Sequence, residues 1–274
     1  MNLSWIARLS RKVSFPGKDR LLRLLYPPDK RSRDHVTEII AYDEGLIRIN
    51  TSFFLEWYLF FYRYYEVHIT RAIKSMVKGD SVCLDVGANI GCHTLTMAHR
   101  APYGRVYAFE PNPATFERLM FNIRLNNLKN VSPLNLAISH QTGVSSFFVP
   151  DQNDCNQSKS SMIYSKTRGV VNKISVKAAQ VKDIPELNNL AKCDLIKIDV
   201  EGYELICLKE LGEVINRFLP VIIFEYDPQT WGQAGASLEE VEGILPQYHL
   251  FDLADGQPIS GERQKAADVL CLPR

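Results

Sequence analysis

Asp85, Gly87, Asn89 and Gly91 fall within seven residues of one another, directly after the apolar run Val82-Cys83-Leu84. A buried run that ends on an acid and then breaks on glycines is what a parallel strand turning into a helix requires. The two glycines carry no Cβ, so the backbone can turn sharply and a ligand can lie against it. Asp85, at the strand's carboxyl end, is expected to face a ligand's cationic or hydroxyl groups. An acid there argues against a phosphate cradle, because it would repel a pyrophosphate. Glu110 ends a second run, Arg105-Val106-Tyr107-Ala108-Phe109. It comes about two dozen residues after the glycine turn, well placed to accept bonds from both ribose hydroxyls. Together these residues predict a site for a nucleoside cofactor with an amino group and no phosphates, a description that S-adenosylmethionine fits.

A second acidic set lies further on. Asp199 and Glu201 close the run Leu195-Ile196-Lys197-Ile198, and Glu225 stands near the end of Val221-Ile222-Ile223-Phe224. If these runs are adjacent strands, the carboxylates meet at one edge of the crevice where open α/β sheets bind ligands. Methyl transfer from a sulfonium is an in-line displacement, so the protein chiefly positions the acceptor and removes a hydroxyl proton. Three readings stay open. Asp199 or Glu201 could be the general base, its pKa raised by burial and like-charge neighbours. Asp199, Glu201 and Glu225 could hold a divalent cation. Glu201 could instead be structural, paired with Lys197 or opening the helix after Gly202. Lys197 shares a strand face with Asp199 and reads as a paired structural charge. His93, in the first turn after Gly91, could be a base but reads rather as a spectator or as packing beside the cofactor, its neutral form favoured by the helix N-terminus.

These motifs resemble a known family. Asp85-Val86-Gly87-Ala88-Asn89-Ile90-Gly91, Phe109-Glu110-Pro111-Asn112, Asn135-Leu136-Ala137-Ile138-Ser139 and Asp194-Leu195-Ile196-Lys197-Ile198-Asp199-Val200-Glu201-Gly202-Tyr203-Glu204 resemble the FkbM-type methyltransferases in order and spacing. Tyr65-Glu66 and Phe224-Glu225 add to the likeness. The resemblance implies a Rossmann-like methyltransferase fold, S-adenosylmethionine as cofactor, and O-methylation of natural products, sugars or glycans. Asn89 stands where many methyltransferases have glycine, although Asn is usual in this family. Within this frame Glu66 would reach the methionine end of the cofactor or the acceptor, and Asn135 and Ala137 would border the adenine. Trp231 and Tyr226 could wall the acceptor pocket, and Trp231 could equally cover a hydrophobic edge. The rival readings are a nicotinamide-dependent oxidoreductase, which lacks its G-x-G-x-x-G spacing here, and a cofactor-binding module without turnover.

The elements that must hold these residues follow from pattern. From Ser81 the sequence alternates strand and helix, which predicts α/β architecture, a doubly wound, mostly parallel sheet. Strands are expected over the apolar run that ends on Asp85 and at 105–110, 131–138, 195–200, 221–226 and 269–272, with helices at 91–100 and 114–125. A further strand at 144–149 is expected to pair antiparallel with the third. Ahead of this catalytic domain (78–274) an extension (1–77) is expected. It comprises a basic lead-in, a hairpin at 37–42 and 46–49, and an aromatic-rich helix from Phe53 to Ser75 that packs on the domain or on a second copy, as a homodimer. The lead-in could be a basic amphipathic helix on a membrane, but docking on protein is the favoured expectation. The polar stretch 151–173 reads either as a lid over the substrate or as a mobile insertion.

With 274 residues, 46% hydrophobic and 23% charged, the composition is that of a globular protein. A net charge of +1 gives nothing global to attract nucleic acid. Six scattered cysteines show no metal-ligand spacing, so no metal site is assigned, and they point to a reducing cytoplasm. No secretory signal and no span long enough for a bilayer is expected. The acceptor is expected to be a small molecule or glycan.

Overall fold

The computed structural model describes residues 3–13, 15–28, 35–151, 159–163, 171–261 and 263–274. The extension comprises helices α1 (Leu3–Ser10) and α2 (Lys18–Leu25), the hairpin β1 (Thr37–Tyr42) and β2 (Gly45–Asn50), and helices α3 (Phe54–Tyr62) and α4 (Val67–Met76). Tyr42 pairs with Gly45, leaving a two-residue turn in which Asp43 has φ 50. Asp tolerates that left-handed geometry because its short side chain can bond locally. The aromatic segment is two helices rather than one. Arg63 (φ 64) and Glu66 (φ 40) both enter the left-handed region, so the chain turns between α3 and α4. Trp57, Phe60 and Phe61 are fully buried and share one core with Ile47 and Ile49 of the hairpin, Ile90 of the first glycine loop and Leu95 beyond it. The aromatics therefore fasten the extension to the rest of the chain.

The remaining elements are β3 (Val82–Val86), α5 (Cys92–Arg100), β4 (Arg105–Phe109), α6 (Pro113–Leu125), β5 (Val131–Leu134), β6 (Ala137–Ile138), β7 (Gly143–Pro150) and β8 (Val171–Ala179). After a 3-10 turn come α7 (Pro185–Asn188), β9 (Leu195–Ile198), α8 (Glu204–Glu210), α9 (Gly212–Phe218), β10 (Val221–Tyr226), α10 (Pro228–Gln233), α11 (Leu238–Ile244), β11 (Tyr248–Asp252) and β12 (Ala267–Pro273). The main sheet has the order β11-β12-β10-β9-β3-β4-β5. Five strands are parallel, and β12 runs antiparallel to both its neighbours. This is an α/β, Rossmann-like methyltransferase fold. The strand order reverses between β3 and β9, which opens a crevice at their carboxyl ends.

Two sheet expectations are corrected. The third strand leaves the main sheet after Leu134, and Ala137–Ile138 pairs parallel with β8 in a separate sheet of order β6-β8-β7. The strand at 144–149 is antiparallel to β8, not to the third strand. The cause is local: Asn135 Nδ2 donates to the carbonyls of Glu110 (2.8 Å) and Pro111 (3.0 Å), turning the chain out of the sheet. Much of the polar stretch 151–173, and with it the lid question, lies outside the described residues. Within its described part, Ser161 pairs with Phe148 and donates from Oγ to the carbonyl of Glu201 (2.9 Å).

Candidate active site

The loop after β3 is fixed by backbone bonds. Gly87 and Ala88 N–H groups donate to the carbonyl of Phe109 at 3.0 and 2.9 Å. Gly87 has φ +83, and a Cβ there would stand 1.8 Å from the carbonyl oxygen of Asp199. Gly91 has φ +99, and its Cβ would meet Leu119 of α6 at 2.8 Å. Both glycines are therefore demanded by left-handed backbone and by protein packing close by. Gly87 lines the cleft but Gly91 does not. Asn89 (φ 51) also lines it, donating from its backbone N–H to Glu110 Oε2 (3.0 Å) while its own Oδ1 accepts from Ile90 N–H (2.8 Å).

Glu110 faces the cleft from the end of β4 and accepts a second backbone bond from Asn112 N–H (2.9 Å). Burial pushes its carboxyl up to about 7, against the pull of those two N–H bonds and Lys197. Ala137 lines the neighbouring wall with Leu136 and Ile138. Asp85 does not face the cleft. It is fully buried, with Oδ2 accepting from Thr94 Oγ1 (2.5 Å) and Oδ1 3.6 Å from Lys197 Nζ. Asn135 donates its amide NH2 to the two backbone carbonyls and is not among the residues lining the cleft.

The acceptor end is built from β9 and β10. Lys197 is buried beneath it, 3.1 Å from Asp199 Oδ2, as expected for side chains two apart on one strand face. Asp199, Glu201 and Glu225 bring carboxylate oxygens within 4.8 Å of one another, and all three line the cleft. Among the described residues this trio is the group able to hold a metal ion. Burial first, then the charges of Asp199 and Glu201, push the Glu225 carboxyl up to about 10. So many acids at close range hold a proton in the absence of a cation.

Glu66 enters the cleft from the turn before α4, with His93 Nε2 2.8 Å from its Oε2. Burial alone would raise the Glu66 carboxyl. The bond to His93 and the charges of His93 and Lys197 outweigh it and hold the carboxyl low. His93 is thus a partner of a cleft acid rather than a spectator.

Glu204 has a structural duty in this loop. Its buried carboxylate accepts from Val200 N–H (2.9 Å), Gly202 N–H (2.9 Å) and Trp231 Nε1 (2.9 Å), pinning the loop that contains Glu201 (φ 58). Trp231 and Tyr226 do not line the cleft: Trp231 is buried against Glu204, and Tyr226 donates to the carbonyl of Arg263. Sequence reasoning missed Phe147, Met162 and Tyr203, which complete the apolar side. Tyr203 was within reach of the motif, since it sits between Gly202 and Glu204. Phe147 and Met162 come from the second sheet and its return, which alternation alone could not aim at the cleft.

The cleft encloses about 830 Å³ counted with its open mouth. Five carboxyl groups line it (Glu66, Glu110, Asp199, Glu201 and Glu225) and no Lys, Arg or His does so among the described residues. Such a surface attracts a cation and repels phosphate.

Residues 85–253 match the family described as the Methyltransferase FkbM domain. Methyltransferase 1 of Beauveria bassiana is 30% identical over 150 residues, covering 49% of this chain and 59% of that protein. Hexuronic acid methyltransferase AglP of Haloferax volcanii is 31% identical over 158 residues, covering 58% and 61%. The chain thus spans about three fifths of the length of these two relatives. Among solved structures, the methyltransferase FkbM of Methylobacillus flagellatus aligns with 71% of this chain and 44% of its own at 16% identity, TM-score 0.45. The family match runs from the acid that ends the apolar run of β3 to the residue after β11, more than half of the sequence, and the protein belongs to the FkbM methyltransferase domain family.

Proposed function

We propose that the protein is an S-adenosylmethionine-dependent methyltransferase that methylates an oxygen of a sugar, glycan or secondary-metabolite acceptor. The observation that carries this is the charge of the cleft: five carboxyl groups and no basic lining residue suit a sulfonium and an ammonium, and disfavour a pyrophosphate. Glu110 would accept from the ribose hydroxyls, and Ala137 beside Leu136 and Ile138 would border the adenine. Gly87 and Asn89 would shape the floor beneath the cofactor, and Glu66 would meet its amino group. We assign residues 78–274 as the catalytic domain and 1–77 as an extension that contributes Glu66.

Bound S-adenosylmethionine would supply an electrophilic methyl group and a neutral thioether leaving group. Asp199 and Glu201 are the residues we assign to the acceptor, one of them taking the hydroxyl proton as the oxygen attacks. Lys197 would hold the Asp199 carboxylate in place from below through their 3.1 Å contact. The sugar preference draws on the likeness to AglP, whose name is that of a hexuronic acid methyltransferase. Calorimetric titration with S-adenosylmethionine and with NAD tests the cofactor. Heat with the first and none with the second is expected, and the reverse would return the oxidoreductase reading. Transfer of radiolabelled methyl to a panel of sugars and small hydroxylated metabolites tests turnover, and binding without transfer to any of them would favour the module without turnover.

A further inference from the structure

The lead-in helices dock with one row of side chains and leave an apolar row facing solvent. Ala7, Ser10 and Leu22 are buried, Arg11 Nη1 donates to the carbonyl of Phe60 (2.8 Å), and Trp57 Nε1 donates to the carbonyl of Tyr26 (2.6 Å). These contacts hold α1 and α2 against α3. On the other side Leu21, Leu24 and Leu25, spaced as helical neighbours, are exposed, Leu24 by 78% and Leu25 by 57%. On α1, Trp5 (55%) and Leu9 (48%) are exposed one turn apart. Of the thirteen large apolar side chains exposed among the described residues, seven lie between Trp5 and Leu25. A patch this concentrated marks a surface that is covered in use.

Charge says by what. Residues 1–34 hold nine Lys and Arg against three Asp, a net +6 in a chain whose total is +1. Arg8, Lys12, Arg20 and Arg23 are exposed beside the apolar rows, and Asp19, the acid within α2, bonds to the Tyr62 hydroxyl. A second copy would bring one such basic face against another, which repels. Exposed leucines and a tryptophan flanked by arginines are instead the pattern of a helix lying in the interfacial layer of an anionic membrane. We propose that α1 and α2 form a docking surface for an anionic lipid bilayer, on which the protein rests without crossing it.

The test is sedimentation of the full chain with vesicles of phosphatidylcholine containing phosphatidylglycerol, against phosphatidylcholine alone, at low and high salt. Binding to the anionic vesicles only, weakened by salt, is expected, with a blue shift of tryptophan emission. That shift reports Trp5, because Trp57 and Trp231 are each 1% exposed. The double variant Leu24→Glu/Leu25→Glu should bind about tenfold more weakly or worse, with its thermal unfolding unchanged. Arg8→Gln and Arg20→Gln, which keep the apolar rows, should each weaken binding by roughly fivefold. Absence of binding to anionic vesicles at low salt overturns the proposal, as does equal binding to both vesicle types. A dimer in sedimentation velocity that the double leucine variant dissolves would assign the surface to a second copy instead.

Discussion

Glu110 sits where two demands conflict. Burial favours its neutral form, while the N–H groups of Asn89 and Asn112 and the role proposed for it require the anion. With its carboxyl near 7, a fall in pH protonates it and removes an acceptor that the ribose hydroxyls would use. Affinity for S-adenosylmethionine should therefore weaken as pH drops below about 7, approaching tenfold per unit, by calorimetric titration. Glu110→Gln should cost about ten- to a hundredfold in affinity and abolish that pH dependence. For acceptor chemistry, Asp199→Asn and Glu201→Gln separate the two candidates. The variant lacking the base should lose about a hundred- to ten-thousandfold in kcat while keeping cofactor affinity within a few-fold. If both turn over like the parent, neither takes the proton. Chelation by EDTA should leave kcat unchanged, because the acid–base reading needs only Asp199 or Glu201 to take the proton. A loss restored by Mg²⁺ would make the trio a metal site. At this scale the sequence revealed which residue types gather at the cleft, but not which way each points. Asp85 and Asn135 carried the expected chemistry and were claimed by Thr94, Lys197 and two backbone carbonyls, all but Thr94 remote in sequence.

Elements came through where an apolar run had one plausible partner. The parallel strands β3, β4, β9 and β10 and the helices α5 and α6 lie within a few residues of their expected limits, because central strands buried on both faces read as continuous apolar runs. The break between α3 and α4 gave no such signal, since Arg63 and Glu66 adopt left-handed geometry without glycine, held there by packing around them. The strand β8 hid behind its polar character, being exposed on one face. The glycine loop gives the sharpest test of the packing account. Gly87→Ala must place a Cβ against the Asp199 carbonyl in a left-handed conformation, so it should lose about 3 kcal/mol or more of stability in urea unfolding. Gly212→Ala meets no neighbour within 4 Å at the start of α9 and should be neutral or stabilising by up to about 1 kcal/mol. Equal effects would mean that ligand approach, not the crossing of chain segments, explains Gly87.

For the molecule as a whole, the raised carboxyls set a slope of stability against pH. Glu225 (about 10), Glu110 and Glu204 (each about 7) bind their protons more tightly folded than unfolded. Their contribution is complete below the ordinary carboxylate range and is lost as pH climbs, through about 7 for two of them and about 10 for Glu225. Urea midpoints should fall from about pH 5 to about pH 9, and Glu225→Gln should flatten the alkaline part of that fall. Cys83, Cys92, Cys193, Cys207 and Cys271 are buried and free. Among the described residues no helix is long and apolar enough to cross a membrane.

The stretch shared with the family stops at residue 253, yet β12 lies between β10 and β11 and supplies the hydrogen bonds of both. Its Asp268 also bonds His68 of α4, one helical step from the cleft acid Glu66. A protein cut back to the homologous region would bare the flank of β10, leave β11 without its neighbour and lose the bond from Asp268 to His68. Naked strand flanks recruit one another, so such a fragment should be recovered as aggregate. The boundaries that kinship draws on this chain are not those along which it can be divided.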